Sequence, residues 1–504
     1  MLTYLLAKTK NAGGVLMDSI KQIWEEVEEK LVKIKESFAK NPFEMAEFER
    51  GVHAQFNRLE RDFIKQTLEE KDNQIRGSLK RLDNWVIVRQ DTKKLLALSG
   101  PIAFKKTLFK NKTDGHSEYL IDKILGIESH ERITEASKAQ ILEEAVQTSY
   151  RRGGDAACVS EDKVSKETVK DILHTLKFPE EKKADSKKTV DYLYIDADED
   201  HISLQFKEHK GDLEIGENHW KNNCVLGKIV YVYEGIEPDS PKSKRCHLKN
   251  PHYFCGVYDG DDNAKLWDAV YNYIDDNYDV NKITNIYLNA DGGGWISAGK
   301  KRIDGITTVL DGFHMQKYLL KITGHLLDSA DDARTKLIDI IYSGKKAKFR
   351  SEIKNIASYS ESESRQKKIM EAGDYILNNW EAARIRVIGK DAVKGCSAEG
   401  HVSHILSDRM SSRPHGWSRI GADKMCRLRA YYKNGGDMLE LVRYQKEEPV
   451  AAGAEYSQIL SSSEILSSER NKHGLVGKYY DQMNQSLSLQ TKEKLYFNSQ
   501  IWTL

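Results

Sequence analysis

The stretch Leu288-Asn289-Ala290-Asp291-Gly292-Gly293-Gly294-Trp295-Ile296 limits most strongly what this chain can fold into. The run Ile283 to Leu288 is largely apolar, and one carboxylate, Asp291, follows it closely. Three glycines then leave that carboxylate uncrowded, and glycine lets a backbone or a phosphate approach closely. A buried strand delivers an acid to the edge of a sheet in this way. Many strands also end in Asp-Gly turns, so Asp291 needs partners elsewhere in the chain before it carries chemistry.

With 504 residues there is room for two to four domains. Hydrophobic residues at 39% support real cores, and charged residues at 31% give a wet surface. The balance of 78 basic and 77 acidic residues leaves a net charge of +1, so any nucleic-acid surface must come from clustering of charge. Cys158, Cys224, Cys246, Cys255, Cys396 and Cys426 show no disulfide-like rhythm, and the Cys246-x8-Cys255 spacing fits no common zinc module. No window approaches the ~20 apolar residues of a membrane span, and no secretory signal is evident. A reducing cytoplasm, with the nucleoid when DNA is bound, is the expected location.

A helical arm is expected over 1–82, with one helix at 16–39 and a charged one from Phe43 to Leu82. A β-hairpin region follows at 83–130. Residues 131–177 read as a helix-turn-helix. Thr134 caps a helix running to Tyr150, a short helix carries Arg151 and Arg152, and Ser165 caps a recognition helix at 165–175. Lys166, Thr168 and Lys170 would face the DNA groove; an ordinary three-helix packing unit is the competing reading. Charged, aperiodic residues 178–188 read as a linker.

An α/β pattern begins at 189. Strands are expected at Val190 to Ile195, His201 to Phe206 and Lys228 to Tyr233, with a tight turn through Asp196-Ala197-Asp198-Glu199-Asp200 between the first two. The Cys246–Cys255 stretch reads as a loop and Leu266 to Ile274 as a helix. The strand ending at Asp291 comes next, then one from Thr307 to Leu310. The expected fold class is α/β, with a ribonuclease H-like core built on a mixed five-stranded sheet, over 189–322 and 395–445. An all-helical insertion at 323–394 interrupts it, and a tail at 446–504 shows no pattern.

Three carboxylates stand where they can converge: Asp198 near the first strand's end, Asp291 after the fourth strand, and Glu399 on a helix capped by Ser397. Hard oxygen ligands suit Mg2+, with Mn2+ as an alternative, and two ions can activate an attacking oxygen and stabilise a leaving one. Spacing does not decide between Asp198 and Asp196; Asp198 is preferred because the next strand resumes almost at once. His314, His401 and His404 are auxiliary candidates, and Trp295 either packs the loop or stacks on a base. Arg409, Arg413, Arg427 and Arg429 are candidate phosphate contacts, with Tyr431 and Tyr432 interleaved nearby.

The segments Tyr194-Ile195-Asp196-Ala197-Asp198, Asp291 to Ile296, Leu310-Asp311-Gly312-Phe313-His314-Met315-Gln316-Lys317-Tyr318-Leu319 and Gly395 to His404 with Arg409 to Pro414 resemble bacterial insertion-sequence transposases of the ISLre2 type, the UPF0236 group. The wider resemblance is to IS256 and Mutator-like transposases, which carry a Cys-x-x-His signature after the second acid. Here Asp311 replaces that cysteine and His314 matches. The resemblance implies a DDE-type transposase that acts on double-stranded DNA, at the element's terminal inverted repeats and at target DNA. Pairing two DNA ends calls for a dimer or larger. The rival functions are a metal-dependent nuclease on the same fold that cuts without joining, and a helix-turn-helix regulator without catalysis.

Overall fold

The computed structural model describes residues 23–181, 183–205, 214–215, 221–303, 305–389, 393, 398–412 and 416–446. It does not describe the side chains of Lys80, Glu214, Ile215, Lys221, Asn222, Ser297, Lys300, Ala398 and Glu399. Ser397, Arg413 and nearly all of the 446–504 tail therefore lie outside the described residues. The chain divides into two compact units, one of Met1–Lys138, Ala157–Lys163 and Lys446–Leu504, the other of Ala139–Ala156 and Val164–Gln445.

In the first unit, a helix over residues 23–40 and helix α1 (Met45–Gly77) form an antiparallel pair. Phe38 meets Phe48 at 4.6 Å, and Arg58 reaches Glu26 at 3.0 Å. Strands β1 (Trp85–Ala97) and β2 (Gly100–Asn111) make the expected hairpin, with a bulge between Ile87 and Arg89. The arm and the hairpin share one core, in which Ile75 packs with Phe104, Phe109 and Leu120. Asp72 ties them further by accepting from the Thr107 backbone N–H at 2.9 Å and from its hydroxyl.

The second unit holds a five-stranded mixed sheet. Its strands are β3 (Tyr192–Ser203), β4 (Cys224–Tyr233), β5 (His252–Val257), β6 (Asn285–Ala290) and β7 (Ile306–Leu310), in the order β5-β4-β3-β6-β7. Strands β3, β4 and β5 are antiparallel neighbours, whereas β3, β6 and β7 run parallel. Two expectations are corrected here. No turn interrupts Asp196 to Asp200, because β3 pairs with β4 continuously from Tyr194 to Ser203. Alternation puts Asp196, Asp198 and Asp200 on one face of a strand that a turn-like composition disguised. The expected strand Lys228 to Tyr233 falls within β4, the second of the sheet, and the third is His252–Val257, which starts inside the stretch read as a loop. A hairpin of Gly235–Pro238 and Cys246–Lys249 precedes it.

One face of the sheet packs on helix α5 (Asn263–Asn277) through Leu193, Ile195, Val230, Leu288, Trp267 and Val270. A short helix, Ser297–Arg302, joins β6 to β7. Its pattern is too brief to read, yet Gly299 lies so close to Trp267 that a Cβ there would stand 2.6 Å from the indole. Helices α6 (Gly312–Thr323), α7 (Ala330–Tyr342), α8 (Lys346–Ser358), α9 (Glu363–Asn378) and α10 (Trp380–Ile388) then form the insertion, with their own core around Leu319, Phe349, Ile353, Ile376 and Trp380.

Helices Tyr150–Asp155 and Lys166–His174 also belong to this unit. Ser165 caps the second as expected, accepting from the Thr168 N–H at 3.2 Å. Gly154 fixes their junction, since its Cβ would sit 2.0 Å from the Val164 carbonyl oxygen, a backbone atom that cannot step aside. Gly154→Ala is expected to lower unfolding free energy by about 1–3 kcal/mol. Gly77→Ala, whose Cβ would meet nothing, should leave it nearly unchanged in the same denaturant titration.

Candidate active site

Strand register builds the site. Ala290 on β6 pairs with Ala197 on β3 and with Leu310 on β7. The next residues, Asp198, Asp291 and Asp311, therefore lie abreast where β6 and β7 end beside the middle of β3, about 4.8 Å apart per step. The Asp311 N–H donates to the Ala290 carbonyl at 2.9 Å, which locks β7 to β6 at this end. Asp311 was named in the sequence only as a replaced cysteine; its membership of the acid row emerges from register, which spacing along the chain does not reveal.

Each acid has a distinct setting. Asp198 is largely buried and accepts from the Glu199 N–H at 2.8 Å. Burial pushes its carboxyl up to about 6, and the negative charges of Asp291 and Asp311 push the same way. Asp291 accepts from the Gly293 N–H at 2.9 Å, and its carbonyl accepts from the Tyr375 hydroxyl of α9. Asp311 caps α6 by accepting from the His314 N–H at 2.8 Å, and its carboxylate lies 3.4 Å from His314 Nδ1. That contact, with the charges of Asp291 and Asp198, holds the imidazole above its ordinary value. His314 thus stands with the acids.

Asp196 has another task. It is fully buried and accepts from the Tyr231 hydroxyl at 2.7 Å, the Tyr233 hydroxyl at 3.2 Å and Asn289 Nδ2 at 2.6 Å. Arg386 of α10 donates to Asn289 Oδ1 at 2.6 Å and to the Leu310 carbonyl at 2.9 Å. Asp196 is therefore the anchor of a buried polar chain across the sheet, whereas Asp198 stands in the row with Asp291 and Asp311.

The helix bearing Glu399 begins as Ala398–His401, continues as a π-helix through Val402–Ser407 and ends at Asp408–Met410. Its first turn lies beside β3. His401 packs on Tyr231 at 4.7 Å and meets the Tyr253 hydroxyl at 3.1 Å, and burial lowers its pKa to about 4. Tyr231 faces Asp196, so this helix covers the sheet face that Asp198 shares by the two-residue strand period. The Glu399 side chain is outside the described residues. His404 is exposed and 3.6 Å from Asp408.

The expected phosphate-binding arginines divide. Arg409 is buried, donates to the Ala145 carbonyl at 3.3 Å and lies over the Trp417 ring at 4.6 Å. Arg429 is buried too, and donates to the carbonyls of Ile405, Val146 and His404. Arg429 clamps the π-helical segment and Arg409 ties the helix end to Ala145 and Trp417, so neither lines a surface. Arg427 pairs with Asp423 at 2.9 Å and covers Tyr258. Arg151, Arg152, Lys166 and Lys170 are exposed, while Thr168 is half-buried and bonded to Ser165. Trp295 packs rather than projects: its indole N–H donates to Glu199, and its carbonyl accepts from Trp267 at 3.2 Å. Gly292, at φ +94°, is crowded by Asn379, whose oxygen would be 2.7 Å from a Cβ, so at this position the glycine admits the insertion against the acid loop.

The donor chemistry fits a hard divalent cation. Asp198 and Asp291 offer carboxylate oxygens side by side, and Asp200 on the same face keeps Oδ2 buried without a hydrogen-bond partner among the described residues. Among those residues no three His, Cys, Asp or Glu side chains are close enough together to hold a metal ion.

Residues 38–448 match the uncharacterised protein family UPF0236. The chain belongs to that family. It is similar to a UPF0236 protein of Caldanaerobacter subterraneus subsp. tengcongensis, 35% identical over 425 residues, covering 84% of this chain and 85% of that protein. A second from the same organism is 37% identical over 399 residues, 79% of each chain. A third is 35% identical over 456 residues, 89% of this chain and 87% of the relative. The first carries eleven locus designations in its name and the second four. No helix among the described residues of this UPF0236 chain is long and apolar enough to cross a membrane.

Because burial raises Asp198 above the 3.8 of a free carboxyl, the folded metal-free protein holds a proton there that the unfolded chain releases. The sign follows: stability from this group is full below pH ~4 and is lost as pH rises through about 6. Asp198→Asn should therefore be more stable than the parent at pH 7.5, by up to about 3 kcal/mol. The difference should vanish near pH 4. Chemical denaturation in EDTA at both pH values checks this.

Proposed function

We propose that this UPF0236 protein is a DDE-type DNA transposase, of the ISLre2 type, on a ribonuclease H-like core. The observation that carries the reading is the row of Asp198 and Asp291 on adjacent parallel strands, with the Glu399 helix covering the same face. The sheet order β5-β4-β3-β6-β7, with the first and fourth strands side by side, supports the fold assignment. Relatives whose names carry eleven and four locus designations in one organism fit a gene that multiplies itself.

In this reading Asp198, Asp291 and Glu399 hold magnesium, or manganese, at the strand ends. Two such ions, when bound, supply activation of the attacking oxygen and stabilisation of the leaving one in an in-line phosphoryl transfer. The chain's own residues position and exclude. The Asp196–Asn289–Arg386 chain fixes the strand ends, Tyr375 holds the Asp291 backbone, and Asp311 orients His314 toward the acids through Nδ1. The exposed cations Arg151, Arg152, Lys166 and Lys170, on the two helices joined at Gly154, are suited to the DNA backbone in a helix-turn-helix role. Two element ends must be joined to one target, so the active form is a dimer or larger on DNA, acting in the cytoplasm.

Asp291→Asn is expected to abolish Mg2+-dependent cleavage of element-end DNA while duplex binding persists. Full cleavage by that variant would falsify the assignment. A strand-transfer assay with pre-cleaved ends then separates a transposase, which joins them to target DNA, from a nuclease, which does not.

A further inference from the structure

The insertion carries a feature that the acid row does not use. A groove of about 1190 Å³ lies between α6 and α9, lined by Tyr318, Lys321, His325, Arg365, Lys368 and Tyr375. It opens beside the acids, since Tyr375 also donates to the Asp291 carbonyl and stacks on Tyr318 at 3.9 Å. Helix α6 starts at the capping Asp311 and runs along this groove for about 18 Å at 1.5 Å per residue.

The outward side of α6 is unusual for a solvated helix. Phe313 and Leu320 are each 50% exposed, and Lys317 and Lys321 are interleaved with them. Phe313 follows the acid row by two residues and lines, with Lys317 and Leu320, a second groove that meets the first at Lys321. Among the described residues, none of Lys317, Lys321, Arg365 and Lys368 forms a salt bridge; Lys317 and Lys321 lie only over the rings of Phe313 and Tyr318, at 5.9 and 4.8 Å. His325, whose Nε2 meets the Ile356 carbonyl at 3.1 Å, keeps Nδ1 without a partner among those residues. Glu371 and Asp374 share the lining: Glu371 lies about 60° around α9 from Lys368, and Asp374 about 120° from Lys368 and half a turn from Arg365.

Free cations along a groove attract a phosphate backbone, and exposed rings among them stack on bases. A duplex hides its base faces, so this mixture selects unpaired strand. We infer that the α6–α9 groove binds single-stranded DNA flanking the scissile phosphate, with Lys321, Arg365 and Lys368 on the backbone and Phe313 stacked on the base nearest the acids. The inference rests on the transposase reading for the identity of that strand and extends it to a product and flank site on the insertion.

The test is fluorescence anisotropy with the full chain in EDTA, using a labelled single-stranded oligonucleotide of about 15 nucleotides and its blunt duplex. The protein should bind the single strand, and K321E/R365E/K368E should weaken it at least tenfold. The slope of log affinity against log salt should fall by about 2, as expected for three lost phosphate contacts on a single strand. Phe313→Ala should weaken it about fivefold or more. The matched reversal K346E/K348E/R350E, on exposed positions of α8 outside the groove, should change it less than twofold, and thermal melting should report all variants folded. Equal single-strand binding by the groove variant and the parent, or equal weakening by the α8 control, overturns the inference. Cleavage of element ends by the parent, measured alongside, separates the two failures. A cleaving parent with a silent groove sinks only the groove. A parent that cleaves nothing, while the groove variants still lose single-strand affinity, sinks the transposase reading and leaves the groove standing.

Discussion

A buried carboxylate holds the second unit's sheet in register. Asp196 is closed off from water and takes hydrogen bonds from Tyr231 and Tyr233 on β4 and from Asn289 on β6. Three donors from both neighbouring strands meet one carboxyl group on the central strand. Leaving any of these partners unsatisfied in the interior costs about 1–3 kcal/mol. A slip of β3 by one residue would turn Asp196 away from all of them and expose Leu193, Ile195 and Ala197. The same register sets Asp198 level with Asp291 and Asp311, so the acid row depends on a fourth acid that lies outside it.

The helical insertion is bound into this arrangement. Arg386 extends the buried chain from Asn289 to the Leu310 carbonyl, Tyr375 grips the Asp291 backbone, and Asn379 fills the space that Gly292 leaves open. Tyr375 of α9, Arg386 of α10 and Asn379 between the two helices thus touch β6, β7 and the loop after β6. Although the insertion has its own apolar core, its polar contacts make it a wall of the site.

The sequence disclosed β6 and the Ser165 cap better than the path of β3. An apolar run closing on one acid was enough to locate β6, and Ser165 marked its helix start by a cap that the structure retains. The acids of β3 misled, because Asp-rich stretches favour turns locally and only pairing with β4 overrides that preference. His252–Val257 was hidden because its four central positions are all buried and so show no alternation. The arginines show the same limit: nothing in the spacing of Arg409, Arg427 and Arg429 tells a buried clamp from a solvent-facing cation, since burial is a property of tertiary packing. Asp311 joined the site through its strand neighbour, a relation that linear distance cannot express.

The π-helical turn Val402–Ser407 sets the phase of everything before it. Each residue of an α-helix advances about 100° around the axis. A single-residue deletion in that turn would relax it to ordinary α geometry and rotate the preceding turn by roughly that angle relative to the sheet. Arg429, by satisfying the carbonyls of His404 and Ile405, stabilises the wider winding. The helix is thus indexed like a key cut one notch long, and its length in residues matters as much as their identity.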